Sequence, residues 1–287
     1  MVKRLKFLAV AFGNAKNAWG VIVSAAKPHN LRKFFAAQQS KLISFVSVLV
    51  FLAIWETAAN SGMIKVILIS SPSRIFKAAI WLFNNGFWYD IWVSSTELGL
   101  GLFTAILVGI PAGICLGWYS KLRAAFDPFI SALYATPRVA LLPLLILWFG
   151  IGIESKVAVV FLGGIFPILV NTLTGVRTLD PLLLKCARSF SASDRQILTT
   201  LALPSSVPFI IAGVRLAVGR GLVGIVVGEL IASKAGVGHM MSIAGATFQT
   251  DKLFVGIILL ASTGYVLTES IKLVERYFER WRPERQE

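Results

Sequence analysis

Between residues 42 and 272 the chain runs through six apolar stretches of 18 to 28 residues, joined by shorter polar connections. An α-helix needs about 20 predominantly apolar residues to cross the hydrocarbon core of a bilayer, whereas core strands are far shorter. Inside lipid every backbone N–H and C=O has to be bonded within its own segment, so spans of this kind are helices. The apolar residues follow one another without the alternation of a barrel strand, which argues against an outer-membrane barrel. With 56% of residues apolar and 15% charged, the chain also lacks the polar surface that a soluble domain of this size requires. The sequence predicts an all-α polytopic membrane protein with six transmembrane helices.

The spans are placed at about 42–59, 91–118, 128–149, 156–176, 208–232 and 253–272, within a transmembrane domain over 42–275. A basic arm, 1–41, precedes this domain and a tail, 276–287, follows it. The arm starts with basic, apolar and small residues in the order of a signal peptide. Asn14, Lys16 and Asn17 interrupt its apolar stretch, which favours a cytoplasmic or membrane-surface arm. Residues 72–83 place Ile75, Phe76, Ala79, Ile80 and Phe83 on one helical face, in an element too short to span and suited to the interface. The second span carries Gly109, Gly113 and Gly117, a small-residue ladder that lets another helix come close. Asp127-Pro128 and Thr136-Pro137 each read as a cap and first turn, so the third span is expected in two pieces broken near Pro137.

Against 14 Asp+Glu stand 28 Lys+Arg, a net charge of +14 that in a soluble protein would suggest nucleic acid. Its distribution suggests otherwise. With both termini cytoplasmic, 19 cations fall in the arm, tail and cytoplasmic loops and six in the outer loops, Lys156 among the latter. That asymmetry follows the positive-inside rule, satisfies an even number of spans, and assigns the basic residues to orientation and anionic lipid rather than nucleic acid. Cys115 lies in an apolar run and Cys186 in a polar loop, so a disulfide between them is not expected.

The longest polar connection between spans, residues 178–206, reads as two short cytoplasmic helices. Asp180 caps a helix starting at Pro181, and Ser193 with Gln196 has capping-box spacing for a second, which Leu203-Pro204 is expected to end. Paired helices with basic and apolar residues suit docking into a groove on a soluble partner. Here the sequence resembles the membrane-spanning permease subunits of bacterial binding-protein-dependent ABC importers. Their signature runs Glu-Ala-Ala, three residues, Gly, nine residues, Ile, one residue, Leu-Pro. Lys185-Cys186-Ala187, Ser191, Leu201 and Leu203-Pro204 match it with every spacing intact, while Lys185, Cys186 and Ser191 depart in identity. The sequence is similar to the nitrate, sulfonate and taurine branch at the stretch from Pro143 to Gly152, Phe166-Pro167, Asn171, Gly175-Val-Arg177, Gly213-Val-Arg215, Gly228-Glu229 and Gly236-Val-Gly238.

The resemblance implies a non-enzymatic chain in the bacterial inner membrane that forms a translocation pathway with a second permease subunit, expected as a homodimer. Two cytoplasmic ATPases, which bring ATP and Mg, would grip the paired helices, and a substrate-loaded binding protein would dock outside. Lys185, Cys186, Ala187, Ser191, Ala192, Leu203 and Pro204 are then the ATPase-coupling positions, in an element where Ser191 lacks the φ freedom of Gly. The branch implies a small anion or organic acid such as nitrate, sulfonate or taurine as substrate.

Charges within spans invite a functional reading, because a central Arg costs about 2.5–3.5 kcal/mol on insertion scales. Glu97, Pro137, Arg138, Asn171 and Glu229 are the pathway candidates, with Arg138 after the Pro137 break the best placed for an anion. Structural readings stand beside these. Arg138 could snorkel or pair; Ser94 to Glu97 has capping-box spacing at the second span's start; Arg215, Arg220 and Glu229 could hold the bundle or the permease dimer; Asn171 could hydrogen-bond between spans. His29 and His239 have no companions at ligand spacing, so no metal is expected, and no P-loop occurs for a nucleotide of the chain's own. From the residues alone, an ion-coupled secondary transporter remains the alternative, although no internal repeat supports it. A membrane-embedded enzyme would need a convergent catalytic constellation that two histidines and scattered acids do not supply.

Overall fold

The computed structural model describes residues 28–61 and 68–279, in which helices are joined by turns, bends and short irregular connections. Helix α1, Pro28–Asn60, belongs to one unit and every later element to a second, Lys65–Glu287. Residues 1–27 of the expected arm and 280–287 of the tail lie outside the described residues. From Pro28 the arm is helix that continues into the first apolar stretch, and α1 closes with Asn60 Nδ2 donating to Glu56 Oε1 at 2.7 Å.

The second unit begins with α2, Pro72–Asn84, which Ser71 caps by accepting from Arg74 N with Pro72 in the first turn. Gly86, at φ 91, turns the chain directly into α3, Phe87–Trp118. This start precedes the expected one, and the proposed capping box is not formed, because Ser94 and Glu97 lie two turns inside the helix and are buried. Helix α4, Ser120–Ala135, follows after Tyr119. Asp127-Pro128 therefore does not begin a helix, and Pro128 sits within α4. Transmembrane helices tolerate such a proline where neighbouring groups satisfy the freed carbonyl.

The break expected near Pro137 is present. After α4 come a 3-10 turn, Arg138–Leu141, and α5, Leu142–Phe149, bent by 89° from α4. Helix α6, Ile153–Arg177, is the most buried, packing along α3 on one side and along α9, Leu203–Ile231, on the other. The glycine ladder explains how close it comes. A Cβ at Gly109 would lie 3.1 Å from Ile168 Cγ2, at Gly113 2.6 Å from Thr172 Cβ, and at Gly117 2.8 Å from Val176 Cβ. Leu98, Val160 and Ile225 form one core layer of this three-helix centre, and Ala105, Ile168 and Ala217 the next.

Two short helices, α7, Pro181–Ser189, and α8, Asp194–Ile197, follow α6. Leu203-Pro204 does not end the second. A π-helical stretch, Leu198–Ala202, carries α8 into α9, with Leu203 N–H donating to Leu198 O, five residues back. Proline breaks an α-helix because its ring clashes with the carbonyl four residues earlier, and the wider π turn just ahead of Pro204 opens that crowded position. Helix α10, Val237–Ala246, and α11, Thr250–Glu279, complete the unit. Arg215 on α9 pairs with Glu275 on α11 at 2.5 Å, and Ser70 Oγ donates to Asp251 Oδ1 at 2.5 Å. Among the described residues five helices are long and apolar enough to cross a membrane, and the bent pair α4–α5 is a candidate sixth.

Candidate functional site

Three constellations carry polar chemistry. The first is the loop after α6. Asp180 Oδ1 accepts from Leu182 N at 2.8 Å, and Pro181 supplies the preset first turn of α7. At the other end Ser191 N donates to Arg188 O at 2.9 Å and Ala192 N to Ala187 O at 3.0 Å, the paired bonds of a Schellman motif. Ser191 takes φ 57, the left-handed conformation that such a position needs and glycine adopts without strain. Ser193 and Gln196 form a full capping box on α8, and Arg188 pairs with Asp194 across the turn. No residue of α7 is buried; Leu182 is 69% exposed and Phe190, just beyond the helix, 88%. Ile197 and Ala202, in contrast, are fully enclosed, anchoring the loop's second limb to the bundle.

The second constellation lies at the α4–α5 break. Pro137 leaves the helical region at ψ 103, and Arg138 follows it. Arg220 on α9 donates from Nη2 to the Tyr134 hydroxyl at 2.9 Å, and its guanidinium carbon stands 4.9 Å from that ring's centre. The Arg138 guanidinium carbon is 5.5 Å from the same ring and 5.8 Å from the Phe166 ring. Arg138 Nη2 donates to Tyr134 O at 3.2 Å, while its Nε is enclosed with no acceptor among the described residues. The two guanidiniums are close enough to repel, and neither has a carboxylate at ion-pair distance among the described residues.

The third is a buried knot at the far end of α9 from the loop. Glu229 Oε1 accepts from Ser94 Oγ on α3 at 2.6 Å, and Oε2 accepts from Gly238 N on α10 at 2.6 Å. Ser94 Oγ in turn accepts from Val237 N at 2.9 Å, and Asp90 Oδ1 from Gly236 N at 2.8 Å. The carboxylates thereby satisfy the orphan N–H groups at the start of α10. Glu97 lies against Glu229, and Lys156 on α6, wholly buried, faces both while donating to Ile151 O. Gly236 and Gly238 are required here. A Cβ on Gly238 would lie 2.7 Å from Glu229 Cβ and 2.9 Å from Val226 O, and Gly236 takes φ 113.

Residues 105–282 match the family described as the binding-protein-dependent transport system inner membrane component. The chain belongs to that family. The permease is 32% identical over 248 residues to the taurine transport system permease protein TauC of Escherichia coli (strain K12), covering 84% of this chain and 90% of that one. It is 33% identical over 236 residues to the putative aliphatic sulfonates transport permease protein SsuC of Bacillus subtilis (strain 168), covering 81% and 85%. In fold it is similar to a chain of the MetNI methionine ABC transporter, solved in inward-facing conformations, with a TM-score of 0.60 at 17% identity over 69% of this chain and 96% of that one.

Of the permease's pathway candidates, the structure brings Glu97 and Glu229 into the knot and sets Pro137 and Arg138 at the break. Asn171 stands apart from both, its Nδ2 donating to Pro167 O at 2.8 Å within α6. Lys185, Cys186, Ser191 and Pro204 are exposed in and beside the loop, and Ala187, Ala192 and Leu203 half-buried. Sequence reasoning left Lys156 among outer loop charges and missed Tyr134 and Asp90 altogether. The helix begins at Ile153, directly after Gly152, so Lys156 falls inside it and is buried. The contact from Tyr134 to Arg220 spans 86 residues and leaves no trace in local pattern.

Proposed function

We propose that this permease is the transmembrane subunit of an ATP-driven importer for small anions or organic acids of the sulfonate, taurine and nitrate kind. In this reading it sits in a bacterial inner membrane with both termini cytoplasmic and lines the pathway together with a second permease subunit, most simply another copy. Two ATPases bring ATP and Mg, and an external binding protein delivers substrate. The observation that carries the reading is the loop after α6. Helix α7 stands clear with Leu182, Leu183 and Phe190 exposed, while the limb behind it is welded through the π stretch into the 29 residues of α9. Exposed apolar residues on paired short helices suit a groove on a soluble partner, and a continuous helix behind them transmits displacement. Lys185, Cys186, Ala187, Ser191 and Ala192 form the coupling surface, with Leu203 and Pro204 at its root.

The relatives named as taurine and sulfonate permeases support the substrate class. Ala187→Arg or Ala192→Arg is expected to abolish co-purification with the partner ATPase while the chain still inserts. Uptake that persists without any ATPase and follows a proton or sodium gradient would replace this reading with an ion-coupled carrier.

A further inference from the structure

The two arginines at the α4–α5 break are treated differently from the other arginine of α9. Arg215 has Glu275 at 2.5 Å, whereas Arg220, more than a turn further along the same helix, has among the described residues only a tyrosine hydroxyl and ring. By helical rise Arg220 stands about 16 Å from one end of α9 and about 26 Å from the other, so it lies deep in the apolar zone. Charges at such depth are normally paired, or face a cavity through which a charged group passes. Here a second guanidinium, Arg138, shares the ring, repels the first, and holds an enclosed Nε that meets no acceptor among the described residues. The backbone between Thr136 and Leu141 is irregular, and within a membrane such backbone is tolerated where it lies against protein or lines a water-filled path.

We propose that Arg138, Arg220 and Tyr134 form a transit site for the oxyanion headgroup of a sulfonate that carries no ammonium group. The proposal rests on the importer reading and deepens it. Guanidiniums present planar forks of N–H donors that match oxyanions in pairs. Arg220 spends one donor on Tyr134 Oη and Arg138 one on Tyr134 O, which leaves donors on both for the three oxygens of a sulfonate. Tyr134 and Phe166, edge to face at 6.4 Å, offer apolar surface to the carbon tail. No carboxylate belongs to the cluster among the described residues, so an ammonium group on the same ligand would meet two like charges and no counter-charge. The site therefore favours ethanesulfonate over zwitterionic taurine.

The test is thermal unfolding of the detergent-solubilised permease–ATPase complex in ethanesulfonate, in taurine, and in gluconate at matched ionic strength. Ethanesulfonate should raise the midpoint by about 2 °C or more over gluconate, and taurine by less than half as much. Arg138→Gln and Arg220→Gln should each abolish the shift. Arg138→Lys and Arg220→Lys should assemble and bind about tenfold more weakly, because the charge is kept and the fork lost. A wild-type shift no larger than that in gluconate, a shift that survives both Gln variants, or equal effects of taurine and ethanesulfonate would overturn the proposal. So would collapse of the Gln and Lys variants alike, which would assign the arginines to assembly alone. A permease that recruits no ATPase fails the importer reading instead, and the same anion titration on the permease by itself still scores the site.

Discussion

Ser191 and Phe248 are the non-glycine residues at positive φ among those described, at 57° and 56°. Each sits at the same place, one residue beyond the cap of a short helix. Gln249 N donates to Ala244 O at 2.8 Å and Phe248 N to Gly245 O, repeating after α10 the bond pair that closes α7. The motif holds the backbone left-handed even where the side chain opposes it, at a cost of about 1–2 kcal/mol for an L-residue. Ser191→Gly should relieve that strain and, after the extra freedom it gives the unfolded chain, stabilise the loop by about 0.5–1 kcal/mol. Slower proteolytic nicking between α7 and α8 would register it; faster nicking would mean that the serine side chain stabilises the turn. That Ser191 closes α7 was foreseeable from spacing, since it falls where the family signature places Gly. The Ser94 to Glu97 spacing misled for a physical reason. Positions three apart share a helix face anywhere along a helix, so the pattern that caps an N-terminus also points two side chains into a bundle.

Among the elements, the π stretch between α8 and α9 decides how the loop faces the bundle. A π turn is a one-residue insertion into an α-helix, and removing one residue rotates the preceding segment by about 100° relative to the helix beyond it. Deleting Thr199 is therefore expected to leave the spans inserted while swinging Leu182, Leu183 and Phe190 away from their present direction. ATPase association should fall at least tenfold, and association at the wild-type level would show that the loop adapts independently of α9. Elements of this size were partly legible in the sequence. Apolar runs located the long helices, the Pro137 break and the Asp180 and Ser193 caps were readable from local chemistry, and the glycine ladder of α3 announced a close neighbour. The continuation through Pro204 was not legible, because the wider turn that admits it depends on a register of backbone bonds. Nor was the start of α4, where Pro128 reads locally as a first turn and sits mid-helix.

At the scale of the molecule, charge and cysteine placement give a direct test of orientation. Cys186 is exposed on the loop after α6, and Cys115 lies in the apolar α3. In Cys115→Ala protein a membrane-impermeant maleimide should label Cys186 in inside-out vesicles stripped of peripheral proteins, and should leave right-side-out vesicles unlabelled. The reverse pattern would invert the chain and remove the cytoplasmic assignment of the loop. The surplus of cations in the arm, the tail and two connections is the sequence basis of this expected orientation. The knot and the arginine pair were readable only in part, since each gathers residues from helices far apart in the chain.

Under the proposed importer function the knot would serve α9 as a fulcrum. Glu229 ties α3, α9 and α10 at one end of the bundle, while the loop hangs from the other end of α9. A lever clamped at one tip magnifies movement with distance from the clamp. From Glu229, Arg220 is about 14 Å down the axis and Leu203 about 39 Å. A tilt of roughly 10° about the clamp, taken over those helical lengths, would shift Leu203 by about 7 Å and Arg220 by about 2 Å. Under the proposed importer function, a coarse stroke applied to the loop would arrive at the two guanidiniums as a displacement comparable to the length of one hydrogen bond.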